Sequence, residues 1–384
     1  MKQFLVVVML FSCIGLAAIG EGAFLLLRFE PSNINRGMGE ITGVVNIWHN
    51  NPFTAYSNPA ISSFQKGFAY SYAHEDWMDF GSDGKLEYNR ALMTIAYNGF
   101  AITLPGYNSD QRWGISMPNT YTLYPFTDVN IEDYTQIRAF GLAINPCEIF
   151  RNNHLETYPW LKYIDLAIGA NYIPLKDEVT YIIYDEDIDD YQMEKMKVDA
   201  DVLNIGEILR LKYCFQDKLA LEAVYGLTHF NANAEHVKYD NDTEAEPIYA
   251  DRNQGFAFSA AVKTNPILVN TKLHNLGLFD NLFSFRYLNS ALVPNYKNSE
   301  EITGNGIELG FLDTFYYRSG NYDDDAGGIS GSTNGWGINL HYKDLISFGY
   351  NYSETPGGDL VDKHKSEEYS CSFDFIGIYD IMVK

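Results

Sequence analysis

From Phe64 onward the chain is a succession of segments in which apolar and polar residues alternate, and this pattern constrains the fold most. Gly67 to Ala73 alternates in this way, and the runs Ala91 to Tyr97 and Phe100 to Leu104 meet at Asn98-Gly99, a strong hairpin signal. Residues two apart share one face of a strand, so alternation predicts strands with one apolar and one polar face. No amphipathic stretch of about 12 residues competes with these strands, and the pattern therefore predicts an all-β chain.

Further segments with this character bring the count to roughly 14 candidate strands. They are Arg112 to Met117 (the least certain), Tyr134 to Ile144, Tyr163 to Ile173, Met196 to Tyr213 (long enough for two strands), Leu219 to Phe230, Gly255 to Lys263, Leu282 to Leu288, Gly306 to Arg318, Gly335 to Tyr342, Leu345 to Tyr352 and Glu368 to Tyr379. Several reach the ~9–11 residues that a tilted strand needs to span a membrane. Asn265 to Leu278 fits either a strand pair or a short helix in a loop.

The turns between these strands are of two kinds. Asn98-Gly99 and Lys343-Asp344 are short, whereas Thr180 to Lys195 and Asn231 to Gln254 are long and acidic. Short turns at one end and long loops at the other are expected of an outer-membrane barrel. Three acidic runs are interpreted as solvated loop tips, or alternatively as sites where divalent cations bridge to lipopolysaccharide. These runs are Asp185 to Asp190, Asp240 to Glu246 and Asp323 to Asp325.

The N-terminus predicts export. Met1-Lys2 carries one positive side chain, Phe4 to Ile19 is almost unbroken apolar, and Ala18-Ile19-Gly20 offers small residues for cleavage. The apolar run of ~16 residues is short for a spanning helix, which needs ~20. We therefore expect a signal peptide at residues 1–20. A lipoprotein signal that is cut before Cys13 is the alternative.

The net charge and the aromatic content restrict the class of protein further. The net charge of −23 excludes a nucleic-acid partner, because an acidic chain repels phosphate. The chain has 29 Tyr and 24 Phe, which suits aromatic girdles at the two membrane interfaces. Candidate girdle residues are Tyr121, Tyr124, Phe126, Tyr158, Trp160, Phe315, Tyr316 and Tyr317.

Two turns stand out between the leader and the first strand. Gly37-Met38-Gly39 has the backbone freedom of glycine on both sides of a methionine. Asn58-Pro59-Ala60 is a turn initiator, because Pro59 fixes φ and Asn58 can bond to its own backbone. A segment that sits inside a polar lumen must satisfy its backbone groups locally, and turns of this kind do so. We expect residues 21–64 to form a plug, or hatch, which either gates a path or acts as a structural stopper.

The stretch from Gly22 to Trp77 resembles the PorV/PorQ group of FadL-like outer-membrane barrels, which are associated with type IX secretion. The resemblance is carried by Phe24-Leu25-Leu26, Arg36 to Glu40, Asn58-Pro59-Ala60 and a first strand with Tyr72 and Trp77. It implies a plug closed by the two turns. The chain departs from the group at Val44 to His49, where small residues and acids are usual, and at Lys384, where an aromatic residue is usual.

No catalytic or cofactor motif is complete. His74-Glu75 begins like HExxH but lacks the second His, and Gly328 to Ser332 lacks the last Gly of a nucleophile elbow. Cys147, Cys214 and Cys371 remain after export and form no CxxC pair, so no obligatory disulfide or zinc site is expected. The sequence predicts no enzyme, no cofactor and no metal.

The sequence therefore predicts a transmembrane antiparallel β-barrel of about 14 strands with an N-terminal plug, in the bacterial outer membrane. The predicted organisation is a signal peptide at 1–20, the plug at 21–64 and the barrel at 65–384. The resemblance implies binding or shuttling of secreted proteins, with cargo proteins, other secretion components, lipid and lipopolysaccharide as partners. The alternative is a channel for hydrophobic small molecules, which predicts an apolar path beside the plug and a lateral gap between strands.

Overall fold

The computed structural model describes residues 30–383 except 80–83, 124–125, 155–156, 186–189, 237, 240–247, 249, 265–279, 295–300, 325–328, 343–344 and 358–362. None of the helices in these ranges has the length and apolar character needed to cross a membrane. Asn265 to Leu278, the turn Lys343-Asp344 and the proposed signal peptide lie outside the described residues.

Strands dominate the described part of the chain and form a single antiparallel sheet. They are β1 Gly67–Asp79, β2 Gly84–Tyr97, β3 Phe100–Pro105, β4 Ile115–Leu123, β5 Phe126–Ile137, β6 Phe140–Ile144, β7 Ile164–Asp185, β8 Asp190–Phe215, β9 Leu219–His229, β10 Lys238–Tyr239, β11 Arg252–Lys263, β12 Asn281–Val293, β13 Ile302–Phe311, β14 Phe315–Asp324, β15 Ile329–Tyr342, β16 Ile346–Pro356 and β17 Lys363–Phe373. The helices are short. They are α1 Asn33–Arg36, α2 Thr54–Ser57, α3 Pro146–His154 and α4 Phe375–Val383, with 3-10 helices at Ile41–Val44, Pro59–Phe64 and Pro159–Lys162.

The sheet closes on itself. β1 pairs with β2 on one side and with β17 on the other, which leaves no free edge. β3 and β4 both pair with β2, so together they fill one strand position in the wall. β5 and β6 both pair with β7 and together fill the next position. β10 is a short strand beside β8. The result is a closed barrel of 14 strands, which confirms the predicted architecture and strand number.

Over the part of the wall that includes β12, apolar side chains lie on the outside and polar ones on the inside. In β12, Phe283 and Phe285 are 53% and 39% exposed, whereas Ser284 and Arg286 are buried. A soluble barrel would show the reverse arrangement. Exposed apolar side chains that alternate with buried polar ones are the arrangement expected where lipid surrounds the barrel and protein fills it.

The segment 30–66, called the N-terminal segment below, lies inside the barrel. Its α1 contacts β15, β16 and β17, its 3-10 helix at Ile41–Val44 contacts β9 and β11 to β13, and its 3-10 helix at Pro59–Phe64 contacts β2, β3 and β6 to β8. A segment that touches strands around the whole wall must cross the lumen. Nearly all of its side chains are buried.

Two sequence predictions about strand limits are wrong. Tyr134 to Ile144 is broken at residues 138–139, where Arg138 N donates a hydrogen bond to Pro174 O of β7. Gly306 to Arg318 contains a tight turn, in which Leu312 and Asp313 adopt positive φ angles of 54° and 48°. Met196 to Tyr213, which is long enough for two strands, forms part of the single strand β8, whose residues pair with β7 as far as Leu211.

The predicted strand Glu368 to Tyr379 is also wrong in its second half. β17 ends at Phe373, and Asp374 Oδ1 accepts hydrogen bonds from Ile376 N and Gly377 N at the start of α4. An aspartate at this position satisfies amide groups that the first helical turn leaves without partners. The alternating pattern does not reveal this change, because the run of apolar residues continues into the helix.

The long acidic loop predicted at Thr180 to Lys195 is mostly strand. β7 and β8 continue as a paired ribbon until Asp185 opposes Asp190, beyond the length that a membrane requires. Asp323 and Asp324 likewise belong to β14. Backbone pairing continues here because the ladder still satisfies the amide groups.

Candidate functional site in the lumen

The Gly37-Met38-Gly39 turn packs against one side of the inner wall. Gly37 caps α1, and Gly39 has a φ of +98°, which few other residues adopt. Thr333 of β15 holds both glycines, because its Oγ1 accepts from Gly39 N at 2.9 Å and donates to Gly37 O at 3.2 Å. Met38 is fully buried and its backbone lies against Gly306 of β13, where a side chain would collide.

The Asn58-Pro59-Ala60 turn packs against the opposite side. Asn58 Oδ1 accepts a hydrogen bond from Ala60 N at 3.1 Å, and Pro59 opens the following 3-10 helix. Asn58 Nδ2 donates to Val44 O at 2.9 Å within the segment and to Glu207 O of β8 at 3.2 Å. Asn58 thus caps a helix and joins the segment to the wall at the same time.

The structure does not bring the two predicted turns together. The first touches β13 to β15 and the second touches β7 and β8, which lie on roughly opposite sides of a 14-strand wall. Both turns are buried and both contact the barrel. That they close the lumen to solutes stays a prediction.

A buried ion cluster, which the sequence analysis missed, holds the N-terminal segment to β1. Arg36 Nη2 donates to Glu75 Oε1 at 3.0 Å, and Arg36 Nη1 pairs with the other carboxylate oxygen. Arg90 of β2 lies 3.7 Å from the same carboxylate, and Thr355 Oγ1 accepts from Arg36 Nη2 at 3.2 Å. Arg36, Glu75 and Arg90 are all at most 1% exposed. Removal of one member of such a buried set leaves an uncompensated charge.

A second buried cluster surrounds Glu308 of β13. Arg318 Nε donates to Glu308 Oε2 at 2.7 Å, Arg286 Nη1 pairs with Oε1, and His49 Nε2 lies 3.0 Å from Oε2. Burial lowers the pKa of His49, so we assign it as a neutral ring that donates from Nε2. Two arginines therefore face one carboxylate.

Glu368 of β17 forms a third attachment. Its carboxylate accepts from the backbone N of Asn33 at 2.7 Å and from the side chain of Asn51. Asn351 Nδ2 of β16 donates to it at 3.2 Å. The sequence signal for all three clusters is a charged residue at an inward strand position, as at Glu75, Glu308 and Glu368.

The prediction that Tyr316 belongs to an aromatic girdle is wrong, because this residue also occupies an inward strand position. Tyr316 is buried and faces the lumen, where its ring lies 5.3 Å from the ring of His49. Its neighbours Phe315 and Tyr317 are 52% and 53% exposed on the outer face. Three consecutive aromatic residues in a strand cannot all point outward, because successive side chains alternate.

A large apolar cluster lines the other half of the lumen. Phe53 and Tyr56 of the N-terminal segment pack against side chains from β1, β2, β4, β5, β7 and β8. The members from the wall are Ala73, Tyr88, Leu92, Ile115, Ile137, Ala139, Ile173, Leu175, Val198, Ala200 and Val202, with Ile248 from the segment before β11. Water-filled barrels have polar interiors, so an apolar inner wall marks a different kind of lumen.

The wall is interrupted beside this cluster. β3 pairs with β6 as far as Thr103, and β4 pairs with β5 from Ile115 onward. Between these points the described residues form no strand pairing across this seam, although β3 stays paired with β2 as far as Pro105. Residues 107–113 leave the sheet as a loop whose base is closed by Gly114 N donating to Gly106 O at 2.7 Å. Ile115 belongs to the apolar cluster, so the interruption and the apolar lumen adjoin.

Comparison with known proteins gives likenesses at low similarity. The toluene transporter TodX of Pseudomonas putida has a TM-score of 0.44 and 10% identity, over 94% of this chain and 100% of that one. A FadL homologue of Pseudomonas aeruginosa has a TM-score of 0.42 and 11% identity, over 89% and 98%. The toluene transporter TbuX of Ralstonia pickettii has a TM-score of 0.41 and 9% identity, over 92% and 97%. No protein-family model and no curated protein matches the chain.

Proposed function

We propose that this protein is a channel of the bacterial outer membrane that passes hydrophobic small molecules, and that the N-terminal segment is its movable plug. The observation that carries the proposal is the apolar lumen cluster that adjoins an interruption in the wall. A hydrophobic solute is poorly soluble in water and gains from burial against apolar side chains. An inner wall of this kind suits such a solute better than it suits ions or sugars.

Movement of the plug is part of the proposal. The cluster side chains are packed against one another, and Phe53 and Tyr56 of the N-terminal segment belong to the packing. A solute therefore passes only when the segment shifts. The buried polar attachments at Asn58, Arg36 and His49 then set the free energy of opening.

The location in the outer membrane belongs to the same proposal. A closed barrel with apolar side chains outside satisfies every backbone group across a bilayer, which an open sheet does not. The apolar run at Phe4 to Ile19 supplies the export signal that this location requires.

Uptake of an apolar fluorescent probe tests the function. Cells that make the protein should take up N-phenyl-1-naphthylamine faster than cells with an empty vector. Met117→Gln places a polar side chain in the cluster near the interruption, and Met196→Gln is the matched control, because both methionines pack partly buried against the same cluster. We expect the first to slow uptake more than the second. Equal uptake with and without the protein would refute the proposal.

The resemblance in residues 22–77 implies the alternative function, a shuttle for secreted proteins in type IX secretion. Its partners would be cargo proteins and other secretion components. The test is a comparison of secreted and surface proteins between a deletion strain and its parent. Loss of a defined set of exported proteins together with unchanged probe uptake would favour the shuttle.

A further inference from the structure

A cavity of about 260 Å³ lies at the end of the barrel that carries the turn Asn98-Gly99. Its walls come from the N-terminal segment and from the ends of β12, β15, β16 and β17. Trp48, Phe64 and Tyr316 supply aromatic surface, while Lys66 and Asp280 are exposed at its edge. The cavity is separate from the apolar cluster, none of whose members lines it.

Arg286 is the polar group that distinguishes this cavity. It lines the cavity, is only 6% exposed, and uses Nη1 for its bond to Glu308. Its Nε is buried and has no hydrogen-bond partner among the described residues. An unsatisfied buried donor costs free energy, and an incoming acceptor would recover it.

The aromatic side chains flank this guanidinium. Arg286 Cζ lies 5.5 Å from the centre of the Trp48 ring and 6.0 Å from that of Tyr316. A planar ligand that bonds to the guanidinium would contact the same aromatic surface. The volume is sufficient for one aromatic ring with one substituent.

The charged side chains around the cavity balance one another, so the unpartnered donor of Arg286, and not a net positive charge, selects the ligand. Asp313 is already engaged, since its carboxylate accepts from Asn281 N at 2.7 Å, from Asn281 Nδ2 at 3.0 Å and from Asp280 N at 3.0 Å. Glu308 is shared by Arg286 and Arg318, and the Asp313 carboxylate, whose hydrogen bonds come from neutral donors, balances the remaining positive charge. Lys66 adds a second cation at the edge, and Asp280 is the opposing acid there.

We propose that this cavity binds a small aromatic monocarboxylate, with Arg286 as the carboxylate partner and Trp48 and Tyr316 as the walls for the ring. The carboxylate accepts from the guanidinium edge that Glu308 leaves free, a charge-assisted bond. The ring fills the aromatic part of the cavity. This site goes beyond the proposed channel function, since it shares no residue with the apolar cluster, although Trp48 and His49 on its wall belong to the N-terminal segment.

Calorimetric titration of the purified full-length protein in detergent tests the site, with benzoate as the probe and benzamide as its neutral isostere. We expect benzoate to bind at least about tenfold more tightly than benzamide, which corresponds to about 1.4 kcal/mol. Arg286→Gln should remove this preference. Equal binding of the two probes, or no binding of benzoate at all, would overturn the proposal.

Two further variants keep the result clear if Arg286→Gln does not fold. Ser347→Phe fills the cavity without touching the Glu308 cluster, and it should abolish benzoate binding. Ser332→Phe adds the same side chain near the other end of β15, where Ser332 is exposed, and it should leave binding unchanged. Benzoate affinity that survives Ser347→Phe would contradict the assigned location.

Discussion

The attachment of the N-terminal segment to β1 through Arg36 can be tested by removal of that side chain. Arg36→Ala takes away two bonds to Glu75 and leaves the carboxylate buried, with Arg90 3.7 Å away as the nearest remaining arginine. Removal of one partner of a buried pair costs about 3–5 kcal/mol. Because Arg90 compensates in part, we expect a loss of about 3 kcal/mol in the free energy of unfolding.

Urea unfolding in detergent micelles measures this loss, with circular dichroism reporting on the strands and tryptophan fluorescence reporting on the environment of all five tryptophans, Trp48 of the segment among them. Lys195→Ala is the control. It breaks the bridge from Lys195 Nζ to Glu178 Oε1 at 2.8 Å, but Lys195 is 53% exposed. Pairs of this kind contribute about 0–1 kcal/mol. The Lys195→Ala variant should therefore have a free energy of unfolding close to that of the parent protein.

A double variant separates the ion pair from simple packing. Arg36→Met with Glu75→Met replaces both partners of the direct pair by apolar side chains, while Arg90 loses the Glu75 carboxylate in the double variant as in the single Glu75→Met variant. We expect the double variant to lose less stability than the sum of the two single changes, because the residues are in direct contact. A loss below about 1 kcal/mol for Arg36→Ala, or strict additivity in the cycle, would refute the anchoring role.

Three other predictions follow from the same segment. Asn58→Ala with Pro59→Ala removes a cap and a wall contact, so it should raise single-channel conductance and antibiotic uptake, and unchanged values would contradict the plug. Burial raises the pKa of Glu30 from 4.5 to about 7, with Glu40 as a nearby like charge, so the folded state holds the proton more tightly. The free energy of unfolding should fall by roughly 3 kcal/mol as pH rises from 4.5 to 7. In Glu30→Gln, the urea midpoint should depend less on pH over this range. Gly206→Val would push a side chain into the Asn58 amide and should lower stability by about 1–3 kcal/mol in a thermal-shift measurement, and an unchanged midpoint would argue against this contact.

The lumen shows where sequence reasoning about the candidate site reaches its limit. The two turns were identifiable from residue type alone. Glycine tolerates the positive φ that Gly39 adopts, and an asparagine before a proline initiates a turn, as Asn58 does. The buried partners Glu75, Glu308 and Glu368 were not, since a charged residue in a strand looks the same whether it faces water or a buried arginine. Whether such a residue faces water or a buried partner depends on how the N-terminal segment fills the lumen.

The sequence by itself determined the class of the fold. Alternation with period two is a local property of each strand, and a turn such as Asn98-Gly99 adopts positive φ angles of 52° and 80° wherever the strands on either side lie. The predicted strand number agrees with the structure because two departures cancel. Phe100 to Leu104 and Arg112 to Met117 fill one position of the wall, whereas Gly306 to Arg318 spans two strands.

The tertiary structure decided what the local pattern leaves open. The interruption between Thr103 and Ile115, the extension of β7 and β8 to Asp185, and the inward position of Tyr316 depend on register and on neighbouring strands. Side-chain direction alternates in every strand, but which face is inside is fixed only when the barrel closes around the N-terminal segment. Closure therefore determined the lumen, and with it the apolar cluster and the cavity beside Arg286.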